Sequence, residues 1–209
     1  MKNIIFDWSG VVKDAVAGQL WIVNKIFEKC GINKITLEEF QENWEQPYNI
    51  FYRKYLSPEV ISDIERENAY REAIFNKDCP KSPAVSGIVD VIKKLKSKNC
   101  FLAVVSSDLK ETLYEEIKDF DLEDVFNEIV TDSYDKTEAV REIVGRNNLS
   151  LPDTFFVGDS NHEIDVSKTI GIKSIAVTWG YTSEKKLKSK HPDFIVKNPK
   201  ELKALLING

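Results

Sequence analysis

The sequence predicts an α/β fold in which helices cover both faces of a parallel sheet. Three short apolar runs support this prediction, because each is long enough for one buried strand and each is followed within two residues by a hydroxyl or carboxylate side chain. These runs are Ile4–Phe6, Phe101–Val105 and Leu151–Val157. Segments with helical spacing alternate with apolar runs along the second half of the chain, as is typical of a parallel sheet. We therefore predict a doubly wound, Rossmann-like core.

The first predicted strand ends at Asp7, and Gly10 follows three residues later. Ligands of open parallel sheets bind at the carboxyl ends of the strands. Gly10 frees the backbone for a sharp turn, so that Asp7 and its neighbours can converge on a small anionic group. An aspartate at the end of a strand is also a common turn former, and this stretch by itself leaves both interpretations open.

The segment after this loop predicts a small all-helical unit. Apolar residues recur at helical spacing over Asp14–Lys29, and Thr36 followed by Glu39 forms a capping-box start for a second helix. Pro47 interrupts that helix. Further helices are predicted over residues 50–55 and 58–75. The predicted domains are an α/β core of residues 1–14 and 81–209 and an inserted helical cap of residues 15–80.

Helix and strand signals alternate again from Pro83 onward. The predicted helices cover residues 88–95, 109–120, 139–143, 164–170 and 202–206. The predicted strands, beyond the three already named, cover residues 125–130, 173–177 and 194–196. This order places Ser106-Ser107-Asp108 and Gly158-Asp159-Ser160 after buried strands, at the edge of the sheet where Asp7 also lies.

The composition of the 209-residue chain is that of an ordinary globular protein, with 42% hydrophobic residues and a net charge of -5. Lys and Arg are spread along the chain, which argues against a nucleic-acid partner and favours a small-molecule substrate. Three widely separated cysteines without a CxxC pair indicate neither a disulfide framework nor a zinc site. The chain has no apolar run near 18 residues and no cleavage-site pattern, so we expect a cytoplasmic protein with no membrane partner. A monomer and a homodimer are both compatible with the sequence.

Four motifs, in this order, resemble those of the haloacid dehalogenase-like (HAD) superfamily, whose members are mostly Mg-dependent phosphatases. The motifs are Asp7-Trp8-Ser9-Gly10, Ser106, Lys136 and Gly158-Asp159-Ser160-Asn161-His162-Glu163. The resemblance covers nearly the whole chain and points to the helical-cap subgroup that contains phosphoglycolate phosphatases and phosphonatases. Each motif alone has an ordinary explanation as a turn residue, a helix cap or a surface lysine. Only the joint pattern overturns those explanations.

The resemblance implies a hydrolase of a small phosphorylated metabolite that forms a phosphoaspartate at Asp7. It implies a Mg²⁺ ion held by hard oxygen ligands. These ligands would be Asp7, the backbone carbonyl of Ser9, Asp159 and, directly or through water, Glu163. The predicted catalytic residues are Asp7, Ser9, Ser106 and Lys136, of which Ser106 and Lys136 would hold the phosphate. The other predicted substrate contacts are Trp8, Gly10, Ser107, Tyr48 and Arg53.

The sequence departs from the family pattern at Ser9. Phosphatases of this family usually carry a second aspartate there, which protonates the leaving group and then activates water. A serine hydroxyl titrates too high for this role near neutrality, and loss of such a group typically costs about 10²- to 10⁴-fold in rate. The metal site would survive, because in the family this position ligates through its backbone carbonyl.

Relatives that lack this acid leave alternatives open. The Asp-Trp-Ser-Gly loop resembles the Asp-Trp-Ala-Gly loop of phosphonoacetaldehyde hydrolases, which need a cap lysine where this chain has Tyr48; Lys54 would require another register. Dehalogenases need a cap arginine, for which Arg53 is a loose candidate. A phosphate-binding or interaction protein with little turnover is a third alternative. The aromatic residues between Trp44 and Tyr55 would either contact the substrate or pack the cap, and we expect most to pack.

Overall fold

The computed structural model describes residues 2–208 and contains, within them, one parallel sheet of six strands. In chain order the strands are β1 (Asn3–Phe6), β2 (Phe101–Val105), β3 (Glu128–Val130), β4 (Thr154–Gly158), β5 (Lys173–Val177) and β6 (Phe194–Val196). Their order across the sheet is β3-β2-β1-β4-β5-β6, and all neighbouring pairs are parallel. The chain thus moves outward from β1 in both directions. This confirms the predicted α/β, doubly wound, Rossmann-like class.

Ten α-helices lie within the described residues. Between β1 and β2 these are α1 (Val16–Lys29), α2 (Leu37–Asn43), α3 (Tyr48–Tyr52), α4 (Asp63–Ile74) and α5 (Ile88–Ser97). The others are α6 (Lys110–Asp119), α7 (Lys136–Arg146), α8 (Asn161–Ile170), α9 (Glu184–Ser189) and α10 (Pro199–Lys203). None of the helices in the described part of the chain combines the length and apolar character that a membrane span needs.

The central strand β1 is buried along its whole length, and its side chains alternate between two apolar clusters. Ile4 and Phe6 pack with residues of α5 and α6 on one face of the sheet. Ile5 packs with residues of α7 and α8 on the opposite face. Since alternate residues of a strand point to opposite faces, this continuous apolar run is explained by a sheet covered on both sides.

The segment from α1 to α4 has its own apolar cluster, in which Phe27, Phe40 and Phe51 are fully buried. Thr36 and Glu39 form the predicted capping box at the start of α2. A second capping box, formed by Ser62 and Glu65, starts α4 five residues later than the predicted start at residue 58. Tyr181, from the loop after β5, is the one buried member of this cluster that comes from outside residues 15–80.

The third apolar run is a strand over only part of its length. The predicted strand from Leu151 begins only at Thr154, and Leu151–Asp153 forms a short 3₁₀ turn. Pro152 explains this difference, because proline has no N–H to donate to a neighbouring strand. Helix α9 was not predicted at all, since Leu187 is its one buried residue and gives no periodic pattern.

Candidate active site

The loops after three adjacent strands bring the predicted polar residues together. Asp7 follows β1, Ser106 follows β2, and Asp159 follows β4. These three strands are neighbours in the sheet, so their carboxyl ends lie at one edge. All three side chains are buried. The strand order of the sheet reverses at β1. The edge of the sheet at this point is therefore polar, although the strands that lead to it are apolar.

Lys136 lies at the centre of this polar group, and only 1% of its side chain is exposed. Its Nζ lies 2.8 Å from Oδ1 of Asp7 and 2.7 Å from Oε1 of Glu163. It is the first residue of α7, which Asp135 caps by accepting a hydrogen bond from the backbone N–H of Thr137. A lysine held in this way is not a solvated surface residue.

Asp7, Asp159 and Glu163 form a cluster whose carboxylate oxygens lie within 4.8 Å of one another. Oδ2 of Asp159 accepts a hydrogen bond from the backbone N–H of Tyr181 at 2.6 Å. Its Oδ1 is buried and has no hydrogen-bond partner among residues 2–208. A buried oxygen without a partner is costly unless a ligand supplies one. Three clustered carboxylates, of which only Asp7 and Glu163 pair with the Lys136 ammonium group, therefore fit a hard divalent cation such as Mg²⁺.

Burial and mutual repulsion set the protonation of the metal-free cluster. Burial raises the pKa of Asp7 to about 7, although Lys136 acts to lower it. Burial also raises the pKa of Asp159 well above its ordinary value, and the nearby charges of Asp7 and Glu163 add to this effect. Burial acts to raise the pKa of Glu163 as well, but Lys136 holds it below the ordinary value. The cluster thus favours added positive charge, whether protons or a metal ion.

Two glycines make room for the Asp159 carboxylate. Gly10 has a φ of +87°, and a Cβ atom there would lie 2.2 Å from Oδ2 of Asp159. A Cβ atom at Gly180 would lie 2.1 Å from the same oxygen. The predicted sharp turn at Gly10 is present, and the close approach explains why a glycine is required. Gly180 was not predicted as part of the site, because its role depends on the packing of the loop after β5.

The loops after β1 and β2 meet through Ser9 and Asp108. The Ser9 hydroxyl donates a hydrogen bond to Oδ2 of Asp108 at 2.7 Å, and the backbone N–H of Asp108 donates to Oγ of Ser106 at 3.1 Å. Asp108 was not among the predicted site residues, although it belongs to the polar run after β2. Ser9, where the resemblance implies an acid in related phosphatases, thus has a carboxylate beside it.

A cavity of about 370 Å³ separates these strand ends from the helical segment. Its walls include Asp7, Ser9, Ser106, Ser107 and Asp108 from the core. From the helical segment they include Tyr48, Tyr52, Glu67, Tyr70 and Arg71. Cavities of this size hold small organic ligands.

Four predicted substrate contacts are not among the residues that line this cavity, namely Trp8, Gly10, Lys136 and Arg53. Lys136 contacts Asp7, which does line it, whereas the side chains of Trp8 and Arg53 lie elsewhere, which corrects their prediction. Trp8 is fully buried, stacks on Phe120 and donates from its indole nitrogen to Oε2 of Glu116 at 2.7 Å. Its large apolar ring fills the core beneath the loop. Arg53 ends the short helix α3, and 67% of its side chain is exposed beside Asp63.

Most aromatic residues between Trp44 and Tyr55 pack within the helical segment, as expected. Phe51 is fully buried against Phe27 and Phe40. Tyr48 lines the cavity and donates from its hydroxyl to Oε2 of Glu67 at 2.8 Å. Lys54 does not line the cavity, since its Nζ pairs with Glu45 at 3.0 Å. Neither residue considered for the phosphonatase alternative places a lysine in this cavity, since Tyr48 lines it and Lys54 does not.

The chain is similar to known proteins over its whole length. It is 23% identical to a phosphoglycolate phosphatase of Synechococcus elongatus, covering 97% of this chain and 95% of the relative. It is 29% identical to one of Aquifex aeolicus, covering 100% and 98%. It is also 25% identical to the pyrophosphatase PpaX of Oceanobacillus iheyensis, covering 97% and 95%.

Solved structures share its fold. A haloacid dehalogenase-like family hydrolase from Streptococcus pneumoniae has a TM-score of 0.84 at 21% identity, covering 98% of each chain. A predicted phosphatase from Clostridium acetobutylicum has a TM-score of 0.83 at 21% identity, covering 100% of each chain. The model of the family described as haloacid dehalogenase-like hydrolase matches residues 4–177, which is most of the sequence. The chain therefore belongs to the haloacid dehalogenase-like hydrolase family.

Proposed function

We propose that this protein is a Mg-dependent phosphatase that removes phosphate from a small metabolite through a phosphoaspartate on Asp7. The observation that carries this proposal is the position of Asp7, which lies at the cavity wall 2.8 Å from the buried Lys136 and within the carboxylate cluster. The names of the relatives, phosphoglycolate phosphatase and pyrophosphatase, support hydrolysis of a phosphorylated small molecule.

Asp7 is held in a way that suits in-line attack on phosphorus. Its Oδ1 accepts a hydrogen bond from the backbone N–H of Trp8 at 2.7 Å and also faces Lys136. Because both contacts are made to Oδ1, we assign Oδ2 as the attacking oxygen. The Oδ2–P bond would form while the bond from phosphorus to the leaving oxygen breaks, and the alkoxide would take up a proton. Water would then attack the phosphoaspartate, which releases inorganic phosphate and restores the Asp7 carboxylate.

The surrounding residues would offset the negative charge of the phosphate. Asp7, Asp159 and the backbone carbonyl of Ser9 are the proposed ligands of Mg²⁺, which would screen the repulsion between the Asp7 carboxylate and the phosphate dianion. Both oxygens of Glu163 already have partners, since Oε1 faces Lys136 and Oε2 accepts from the N–H and the hydroxyl of Ser160. We therefore propose that Glu163 acts through water and by fixing Lys136. The Ser106 hydroxyl and the Lys136 ammonium group would hold the phosphate oxygens.

The absence of the second aspartate shapes the proposed chemistry. Ser9 cannot protonate a leaving group near neutral pH, so esters and anhydrides with acidic leaving groups would react faster than alkyl esters. A phosphate-binding protein with little turnover is the second candidate, because the Ser9 hydroxyl takes the place of the acid. The two candidates differ in whether a product forms.

We also propose that residues 15–80 act as a cap that covers the reaction centre and selects the substrate. The support is that one wall of the cavity comes from this segment. The cytoplasmic location and the choice between a monomer and a homodimer stay predictions from the sequence.

The test is phosphate release from a panel of aryl, acyl and sugar phosphates and phosphonoacetaldehyde, with and without Mg²⁺, using Asp7→Asn as the blank. Release by the wild type alone, and only with Mg²⁺, is the expected result. No phosphate release from any substrate, together with ligand-induced thermal stabilisation, would favour the phosphate-binding protein. Aldehyde and phosphate formed from phosphonoacetaldehyde alone would instead establish the phosphonatase alternative.

A further inference from the structure

The cavity contains an unpaired carboxylate beside the reaction centre. Asp108 lines the cavity, and its Oδ2 accepts a hydrogen bond from the Ser9 hydroxyl at 2.7 Å. Within residues 2–208 no Lys, Arg or His nitrogen lies within 4.0 Å of this carboxylate. Asp108 thus presents negative charge to whatever group is attached to the phosphate.

The other charged groups of the cavity do not compensate for this charge. Lys13 pairs with Glu116 at 2.5 Å, and Glu116 also accepts from Trp8. Arg71 lies 3.7 Å from Glu67, and 52% of its side chain is exposed, which places its charge toward solvent. Lys81 is exposed at the edge of the cavity. The cationic side chains of the interior therefore already have carboxylate partners, whereas Asp108 does not.

Tyrosine hydroxyls complete this part of the wall. Tyr70 and Tyr48 both line the cavity from the helical segment. Burial raises the pKa of Tyr70, and the charge of Asp108 raises it further. Burial and the hydrogen bond to Glu67 raise the pKa of Tyr48 to about 12. These hydroxyls stay protonated near neutral pH, so they offer hydrogen bonds but no positive charge.

We propose that the group attached to the phosphate is a neutral or cationic alcohol that carries hydrogen-bond donors, such as a polyol or an amino alcohol, and that Asp108 selects it by accepting one of these donors. This inference rests on the proposed phosphatase function. A second anion in the same place would face carboxylates in a partly buried cavity, where repulsion is stronger than in water. Phosphoglycolate and pyrophosphate both carry such an anion, so we expect this chain to differ in preference from relatives named for those substrates.

The sharpest comparison uses phosphoethanolamine and phosphoglycolate, which have similar size and opposite charge at the end distant from phosphate. Because their leaving groups also differ in basicity, binding is measured as competitive inhibition of 4-nitrophenyl phosphate hydrolysis and not as turnover. We expect the wild type to bind phosphoethanolamine about 10- to 100-fold more tightly, as is usual for a hydrogen bond to a charged partner. Glycerol 3-phosphate should lie between the two.

Asp108→Asn should reduce this preference about tenfold or more, chiefly by weakening the binding of phosphoethanolamine. Asp119→Asn is the matched control, since Asp119 is an exposed aspartate of α6 outside the cavity, and it should keep the wild-type preference. Tighter binding of phosphoglycolate by the wild type would overturn the proposal, even if Asp108→Asn failed to fold. An equal loss for both ligands in Asp108→Asn would show a structural role and also overturn it.

Failure of the phosphatase function is a separate outcome. If 4-nitrophenyl phosphate is not hydrolysed, the proposed function fails, and the preference is then measured as the thermal stabilisation that each ligand gives. Stabilisation by phosphoethanolamine but not by phosphoglycolate would support the selectivity of the cavity. The reverse order would contradict it.

Discussion

The Ser9 hydroxyl lies beside the Asp108 carboxylate, and this contact suggests how an acid at residue 9 would behave. In a Ser9→Asp variant the new carboxylate would lie beside Asp108, and two neighbouring carboxylates raise each other's pKa. The variant would therefore hold a proton near neutral pH. We expect turnover of alkyl phosphates to rise at least about tenfold, with little change for 4-nitrophenyl phosphate.

Ser9→Asn is the matched control for this prediction, because asparagine adds similar volume but has no proton to transfer. Steady-state rates with glycerol 3-phosphate and 4-nitrophenyl phosphate measure the effect. Equal changes in the two variants, or no gain from Ser9→Asp with any substrate, would contradict the explanation that the missing acid limits the rate.

Gly10 and Gly87 allow a test of the close approach to Asp159. Gly10 has a φ of +87° and Gly87 a φ of +85°, but a Cβ atom at Gly87 would meet nothing within 4 Å. Gly87→Ala should thus cost only the left-handed strain of about 1–2 kcal/mol. Gly10→Ala should cost more, and it should also weaken Mg²⁺ binding, because the new methyl group displaces the Asp159 carboxylate. Urea unfolding and calorimetric Mg²⁺ titration measure the two effects. Equal losses of stability with unchanged metal affinity would contradict the steric explanation.

The raised pKa of Asp7 predicts a pH dependence of stability for the metal-free protein. A carboxyl group whose pKa is about 7 in the folded protein, against an ordinary value of 3.8, favours folding when it is protonated. Its contribution to the free energy of unfolding is complete below about pH 4 and is lost as the pH rises through 7. The melting temperature of the wild type minus that of Asp7→Asn should therefore fall between pH 4 and pH 8. A difference that stays constant, or rises, over this range would contradict the prediction.

The residues of the site differ in how far the sequence reveals them. Asp7, Ser106 and Asp159 follow strands, so the apolar runs alone place them at one edge of the sheet. Lys136 could be placed only through the family resemblance, since nothing local distinguishes it from a surface lysine. Asp108 was placed at the same edge but not predicted as a site residue, because its hydrogen bond with Ser9 joins two loops far apart in the sequence. Gly180 was missed, because its role depends on the packing of the loop after β5. Trp8 was misplaced because its neighbours in sequence line the cavity while its ring points into the core.

At the scale of elements, the sequence predicts strands better than it predicts the limits of the inserted helices. The bounds of β2, β5 and β6 agree with the prediction, because continuous apolar runs mark buried parallel strands. The start of α4 was wrong because the capping box at Ser62 outweighs the weak periodicity before it. Helix α9 has one buried residue and cannot be recognised from a pattern of apolar residues.

The capping box of α2 gives a prediction at this scale. The Thr36 hydroxyl accepts from the N–H of Glu39, and the Glu39 carboxylate accepts from the N–H of Thr36. Thr36→Ala should cost about 0.5–2 kcal/mol of unfolding free energy. Thr36→Ser keeps the hydroxyl and should recover most of this loss. Denaturant unfolding of the two variants measures the difference, and an equal loss in both would show that the cap does not stabilise the helix.

At the scale of the whole molecule, the loop after β5 joins the helical segment to the carboxylate cluster at the edge of the core. The backbone N–H of Tyr181 donates to Asp159, whereas its ring packs against Phe40 and Trp44 of the helical segment. Gln41 donates from its side chain to the carbonyl of Gly180 at 2.9 Å. The position of the helical segment and the orientation of Asp159 are therefore linked through one short loop.

A hydrogen bond from Lys186 adds to this connection, and a variant that removes it tests the link. Its Nζ donates to the carbonyl of Trp44 at 2.5 Å, and only 16% of its side chain is exposed. Lys186→Met should speed hydrogen exchange in α2 and weaken Mg²⁺ binding a few-fold, because α9, which directly follows the loop that carries Tyr181, loses a contact with the helical segment. Lys188→Met is the control, since Lys188 is 60% exposed and, among residues 2–208, pairs only with Glu184 of its own helix. Faster exchange in α2 with unchanged Mg²⁺ affinity would show that the helical segment moves independently of Asp159, and the proposed link would then be wrong.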